Sequence, residues 1–459
     1  MSTAEAAIQR AEELRRGLTG NFRDEAVSSV YAEAERIADR VVHRSGVAPR
    51  DLDQRIDRLV TSPIFGLPLM LVILSVIFWL TIAGANVPSA MIATGLFWIE
   101  DKAAALFEAI GAPWWLTGFI WHGVFRGLAW VVSVMLPPMA IFFPMFTILE
   151  DLGYLPRVAF NLDFLFRRAG AHGKQALTMA MGFGCNAAGV IATRVIDSPR
   201  ERLVAILTNN FVPCNGRFPT LIMLATIFVA ASFPPVLASI AAAGAVVGIV
   251  VLGVLFTLLM SWLLSRTVLK GEASAFTLEL PPYRRPGIAR ILYTSLIDRT
   301  LFVLWRAMLT AAPAGAVIWL LGNIYVGDTS LATRAANALA PLGHAIGLDG
   351  VILLAYVIAI PANEIVVPTM LMVYTGGAMM SDMESMSELR TLLVDTHGWT
   401  MLTAVNLMLF ALLHNPCATT IITIYKETLS AKWAALGALM PLVVAFLVTF
   451  LTATIWRMF

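Results

Sequence analysis

Three thiols, a run of amides and one carboxylate stand inside otherwise apolar sequence. Cys185-Asn186 follows Gly182-Phe183-Gly184, Cys214 sits between Asn209-Asn210-Phe211-Val212-Pro213 and Asn215, Cys417 follows Pro416, and Glu364 follows Pro361-Ala362-Asn363. Thiol, amide and carboxylate together make a mixed soft and hard ligand set, which suits a divalent transition metal better than a sugar. Affinity alone at such a site would favour copper and zinc over the earlier first-row divalent metals, so these residues do not name the metal. The metal-ligand candidates are Cys185, Cys214, Cys417 and Glu364. The pathway-lining candidates are Asn186, Asn210, Asn215 and Asn363, together with the backbone breakers Gly182, Gly184, Pro213, Pro361 and Pro416. Plainer readings stand beside these. The glycines could serve close helix packing, each cysteine could be a small buried hydrophobe, and Glu364 could be a structural carboxylate paired to an arginine or lysine.

The elements that must hold these groups follow from composition. Of 459 residues, 58% are hydrophobic and 14% charged, and the mean hydropathy is +0.78. The expected fold class is an all-α polytopic membrane protein. A formal net charge of +2 is too small to imply a nucleic-acid partner. Three cysteines, an odd number placed in or beside apolar segments, do not form a disulfide framework and are expected to be reduced. No apolar leader occurs near the N-terminus, so the first span is expected to act as an internal insertion signal. No Gly-x-x-x-x-Gly-Lys-Ser/Thr pattern occurs in the chain, so nucleotide hydrolysis is not expected of it and it is read as a non-enzyme.

Residues 1–60 read as an amphipathic helical lead-in, with Val27, Tyr31, Ala34, Ala38 and Val41 at helical spacing. A first span is expected from Phe65 to about Ala85. A separate interfacial helix then carries Leu96, Ile99, Ala103, Leu106 and Ile110, with Trp114-Trp115 as anchors. Further spans are expected at about 128–149, 236–264, 301–321 and 433–455. Broken spans are expected around Cys185, around Cys214, at 351–374 across Pro361 to Glu364, and at 402–424 across His414 to Cys417. His414 reads as a satisfied hydrogen-bonder outside the site, and Glu150-Asp151 as a charge cluster paired with arginines such as Arg157. The connection from Arg266 to Arg299 contains Lys270, Arg284, Arg285 and Arg290 and is placed in the cytoplasm, whereas the connection from Asp382 to Asp395 has only Arg390.

An offset of 176 residues places Pro137 on Pro313, Cys185 on Pro361, Val190 on Val366 and Thr193 on Thr369. Each half then also has a Pro-Cys break, Pro213-Cys214 and Pro416-Cys417. The expected architecture is a duplicated helical core with broken transmembrane helices, the kind of break that forms transporter sites. The chain divides into a cytoplasmic lead-in at 1–60, a first half at 61–265, a basic loop at 266–300 and a second half at 301–459.

At these motifs the chain resembles the membrane, or gate, domain of the FeoB family of bacterial ferrous-iron transporters. The resembling residues are Asp57-Arg58-Leu59-Val60, Gly66-Leu67-Pro68, Leu149-Glu150-Asp151 with Gly153-Tyr154, Gly182-Phe183-Gly184-Cys185-Asn186 and Ala192-Thr193-Arg194. Further along they are Cys214 with Arg217 and Pro219, Pro361-Ala362 with Glu364 and Val366-Val367, and Pro416-Cys417. The resemblance implies ferrous iron as the transported substrate, no permanently bound cofactor, a multi-pass place in the cytoplasmic membrane among lipid, and a GTPase supplied by a separate chain. A homo-oligomer is an open expectation. The chain departs from the family pattern at Ala187-Ala188, at Asn215-Gly216 and at Asn363, which bears on metal preference and on coupling to the GTPase. The breaks also resemble the gate domains of nucleoside permeases, so a nucleoside or other small-solute permease is the rival reading, and a non-transporting membrane scaffold is the second rival.

Overall fold

The structure is a computed structural model that describes residues 22–41, 52–62, 64–270, 283–377 and 386–458. The rest of the lead-in (1–21 and 42–51), together with 271–282 and 378–385 of the two long connections, lies outside the described residues. The lead-in contributes α1 (Phe22–Val41) and α2 (Leu52–Val60). The first half contains α3 (Gly66–Ala109), α4 (Arg126–Asp151), α5 (Tyr154–Arg168), α6 (Gln175–Gly184), α7 (Asn186–Ala192), α8 (Pro199–Thr208), α9 (Phe218–Leu224) and α10 (Pro235–Arg266). The second contains α11 (Phe302–Asn323), α12 (Leu331–Ala345), α13 (Gly350–Ile358), α14 (Val366–Thr375), α15 (Met401–Leu413), α16 (Ala418–Thr428) and α17 (Ala431–Met458). A two-residue antiparallel hairpin, Tyr325–Val326 against Thr329–Ser330, caps the turn between α11 and α12.

Among the described residues, seven helical stretches are long and apolar enough to cross a membrane, or eight if α12 and α13, bent by 111°, count as one. Their outer faces are apolar: Val72, Val76 and Trp79 on α3, Val247, Val251 and Leu255 on α10, and Val443, Leu447 and Phe450 on α17 are exposed. Hydrocarbon is the solvent that suits such faces, and the chain is a helical multi-pass membrane protein.

Two expectations change. The first span and the interfacial helix are one continuous helix, α3, of 44 residues. At 1.5 Å per residue it is about 66 Å long, roughly twice the hydrocarbon thickness. The charged turn that suggested an interfacial helix is satisfied by a neighbour. The Glu100 carboxylate is fully buried and accepts from His122 Nδ1 at 2.6 Å and Arg126 Nε at 3.1 Å. Second, Arg157 pairs with a carboxylate of the lead-in. Its Nε donates to Asp57 Oδ1 at 2.9 Å and its Nη2 to Oδ2 at 3.2 Å, while Tyr283 donates to the same Oδ1 at 2.8 Å. The Arg157 hydrogen bond holds the Asp57 carboxyl below its ordinary value, and burial with the bond to Asp57 pushes the Tyr283 phenol up to about 12. This contact puts α2 and the basic connection on the same side of the protein.

The duplication is visible in the backbone, with a register of its own. Cys185, between α6 and α7, has φ −153° and ψ 125°. Ala362, between α13 and α14, has φ −154° and ψ 118°. The geometric offset is therefore 177, one more than the proline match suggested, and it sets Asn186 on Asn363. Earlier in each half, α4 and α11 cross closely where Gly127 meets Gly315, since a β-carbon on Gly127 would stand 2.9 Å from Gly315 Cα.

Candidate functional site

The four interruptions meet between the two halves. One cavity of about 30 Å³ is lined by Cys185 and Asn186 from the α6–α7 break, Cys214, Asn215 and Gly216 from the α8–α9 break, Pro361 to Glu364 from the α13–α14 break, and Cys417 from the α15–α16 break. Gly184 borders it too, as do Met135 and Met139 of α4, Val303 and Ala307 of α11, and Thr419. The space holds about one water or one ion.

Each wall has a local cause. Cys185 is extended and ends α6, while its carbonyl accepts from the Gly189 amide in the first hydrogen bond of α7. Asn209 staples this break by donating Nδ2 to the Asn186 carbonyl at 3.0 Å. It fits because Gly182 and Gly189 present no side chain; a β-carbon at either would stand within 3.0 Å of the Asn209 amide. Gly182 is therefore a packing glycine outside the cavity lining, whereas Gly184 borders the cavity and also packs closely on Phe142. Cys417 precedes α16 and lies 3.3 Å from Thr420 Oγ1.

Next in sequence to the cavity-lining Gly216 is a buried cation. Arg217 is 2% exposed. Its Nη1 donates to the carbonyls of Asn210 at 2.9 Å and Leu412 at 2.7 Å, and its Nη2 to Asn210 Oδ1 at 3.2 Å and the His414 carbonyl at 3.1 Å. A planar guanidinium can serve several acceptors at once, and here they come from both halves. Asn210 completes the tie by donating to the His414 carbonyl at 2.9 Å, and its amide meets that of Asn186 at 3.2 Å. His414 is held on both ring nitrogens, Nδ1 by the Phe410 and Ala411 carbonyls and Nε2 by Asn363 at 3.3 Å.

Of the residues singled out in the sequence, Cys185, Cys214, Cys417, Glu364, Asn186, Asn215, Asn363, Gly184 and Pro361 line the cavity, while Asn210, Gly182, Pro213 and Pro416 do not. Cys185 and Cys214 are each 9% exposed, and Cys417 is half-buried. Among the described residues, no three His, Cys, Asp or Glu side chains close into a metal-holding cluster. Glu364 has no lysine or arginine partner among them either. Sequence reasoning missed Met135, Met139 and the caging role of Arg217. The methionines had a signal, four residues apart around Pro137-Pro138; the cage had none, because the acceptors that tie it to the second half are backbone carbonyls nearly 200 positions away.

The family model described as "Gate: Nucleoside recognition" matches residues 132–228 and 304–431, one stretch in each half. The model described as "Ferrous iron transport protein B C terminus" matches residues 246–298. An Fe(2+) transporter FeoB of Staphylococcus aureus is 30% identical over 460 residues, covering 95% of this chain and 65% of that protein. One from Campylobacter jejuni is 26% identical over 420 residues, covering 88% of this chain and 65% of the relative. A Porphyromonas gingivalis protein named as a fusion of Fe(2+) transport protein A and Fe(2+) transporter FeoB is 28% identical over 456 residues, 89% of this chain and 52% of its own length. The chain thus spans about two thirds or less of these relatives. No solved structure matches it.

Proposed function

Since the chain is a membrane domain of the FeoB family, we propose that it carries ferrous iron across the cytoplasmic membrane through the cavity between its halves. Cys185, Cys214, Cys417 and Glu364 are the transient ligands. The observation that carries the reading is their convergence: four donors from four separate breaks, two in each half, border one ion-sized space. Donors spread around a space and not closed into a cluster suit an ion that must leave again, since conduction needs binding strong enough to admit it and weak enough to release it. Two halves meeting at a shared site also suit alternating access.

A GTPase on a separate chain is part of the proposal as regulator or driver. The gate family's description, nucleoside recognition, keeps a nucleoside in view as an alternative cargo. Size weighs against it, because pockets for small organic ligands run to roughly 300 Å³ or more.

The test is anaerobic uptake of labelled ferrous iron into proteoliposomes, with and without a candidate GTPase and with zinc, manganese and uridine as competitors. Uptake abolished by Cys185→Ser supports the metal path, and stimulation by the GTPase supports the coupling. Uridine flux without iron flux would overturn the reading in favour of a permease.

A further inference from the structure

The cavity wall contributed by α4 consists of two methionines. Met135 and Met139 are four residues apart, so they sit one helical turn apart on the same face, and both border the space that Cys185, Cys214 and Cys417 share. The equivalent helix of the second half, α11, offers Val303 and Ala307 there, which have no donor atoms. Methionine often acts as a flexible gap-filler. Here it borders open volume, although leucine would occupy a similar volume with better-defined rotamers.

We propose that Met135 and Met139 are specificity-determining ligands that make the cavity select soft divalent cations over hard ones. The inference deepens the transport reading and rests on it. A thioether is a soft, uncharged donor; magnesium and manganese prefer carboxylate, carbonyl and water oxygens, and gain little from sulfur. Two thioethers replace part of the hydration shell for a cation of intermediate softness such as ferrous iron and leave a hard cation under-coordinated. Being neutral, they add no electrostatic trap to the one set by Glu364, so the ion still leaves.

Met135→Leu/Met139→Leu removes both sulfurs at nearly constant volume. Ferrous iron and manganese uptake are measured side by side in anaerobic proteoliposomes for this variant, for Met135→Leu alone, and for the unsubstituted protein. The expected result is a fall of roughly threefold or more in the iron-to-manganese uptake ratio of the double variant, with a smaller fall in the single one. Equal loss of both fluxes, or an unchanged ratio, would mean that the methionines only pack, and overturns the inference while leaving iron transport standing. If the double variant does not insert, Met135→Leu, at the less buried position, decides by the same ratio. An unsubstituted protein that moves no metal overturns the transport reading and this inference with it.

Discussion

Gly216 of the first half lies against the Glu364 carboxylate of the second: a β-carbon added to Gly216 would stand 2.6 Å from Glu364 Cδ. The absent side chain at 216 is what gives that carboxylate its place on the cavity wall. The carboxylate is the end of a flexible side chain, so a methyl group there displaces it without unfolding the break. Gly216→Ala should leave membrane insertion intact and lower iron uptake several-fold. Gly216→Ala/Glu364→Asp, with a shorter acid, should recover part of the loss. Full uptake by Gly216→Ala would remove Glu364 from the path.

The thiols differ in access. Cys417 is half-buried, whereas Cys185 and Cys214 are nearly sealed. A maleimide reagent should therefore modify Cys417 first, and ferrous iron should slow that reaction if the cation shares the cavity. Mass spectrometry of the labelled protein reads both. Equal labelling of all three cysteines, unaffected by iron, would contradict the geometry and the ligand assignment together.

Arg217 ties the halves at their buried centre. Arg217→Met keeps much of the bulk and strips hydrogen bonds from the carbonyls of Asn210, Leu412 and His414. Hydrogen bonds to a charged donor contribute about 1.5–3 kcal/mol each and a buried acceptor left without a donor costs about 1–3 kcal/mol, so the expected loss is about 3 kcal/mol or more. Arg217→Lys, with a single charged nitrogen in place of the fork, should recover only part of it. Thermal unfolding in detergent checks this; a variant as stable as the parent would show that the cage is dispensable.

These relationships explain which parts of the molecule were readable in the chain and which were not. The breaks at Cys185, Pro361 and Cys417 were readable because each interrupts an apolar run with residues that hydrocarbon does not tolerate. Their convergence on one cavity was not readable, because it depends on how the two halves pack, and the register of the repeat shifts by one residue. Proline identity set Cys185 on Pro361, while the backbone sets it on Ala362 and so pairs Asn186 with Asn363. The length of α3 was hidden by Glu100, a charge that looks interfacial until His122 and Arg126, over twenty residues away, bury it. The partner of Arg157 was hidden in the same way, since Asp57 lies 100 positions upstream. Local pattern carries the solvent preference of a segment and not the identity of a distant partner.

The Asp57 contact gives the pH prediction. Asp57 on α2 is bonded by Arg157 at the start of α5, whose guanidinium also lies 4.1 Å over the Tyr283 ring. The Arg157 hydrogen bond keeps the Asp57 carboxyl ionised below its ordinary range. A carboxyl with a lowered folded-state value stabilises the fold above its unfolded value of about 3.9, and that contribution is lost as the pH falls through the lower folded value. The docking of residues 52–60 should thus be insensitive to pH from neutrality down to about 4 and weaken below it. Hydrogen exchange across 52–60, compared with the buried α15, reads this locally. Asp57→Asn should show the weakened, faster-exchanging state already at neutral pH and lose most of the acid dependence. Identical exchange in parent and variant at neutral pH would mean that Val60, whose carbonyl accepts from Asn161 at 2.7 Å, holds the helix without the ion pair.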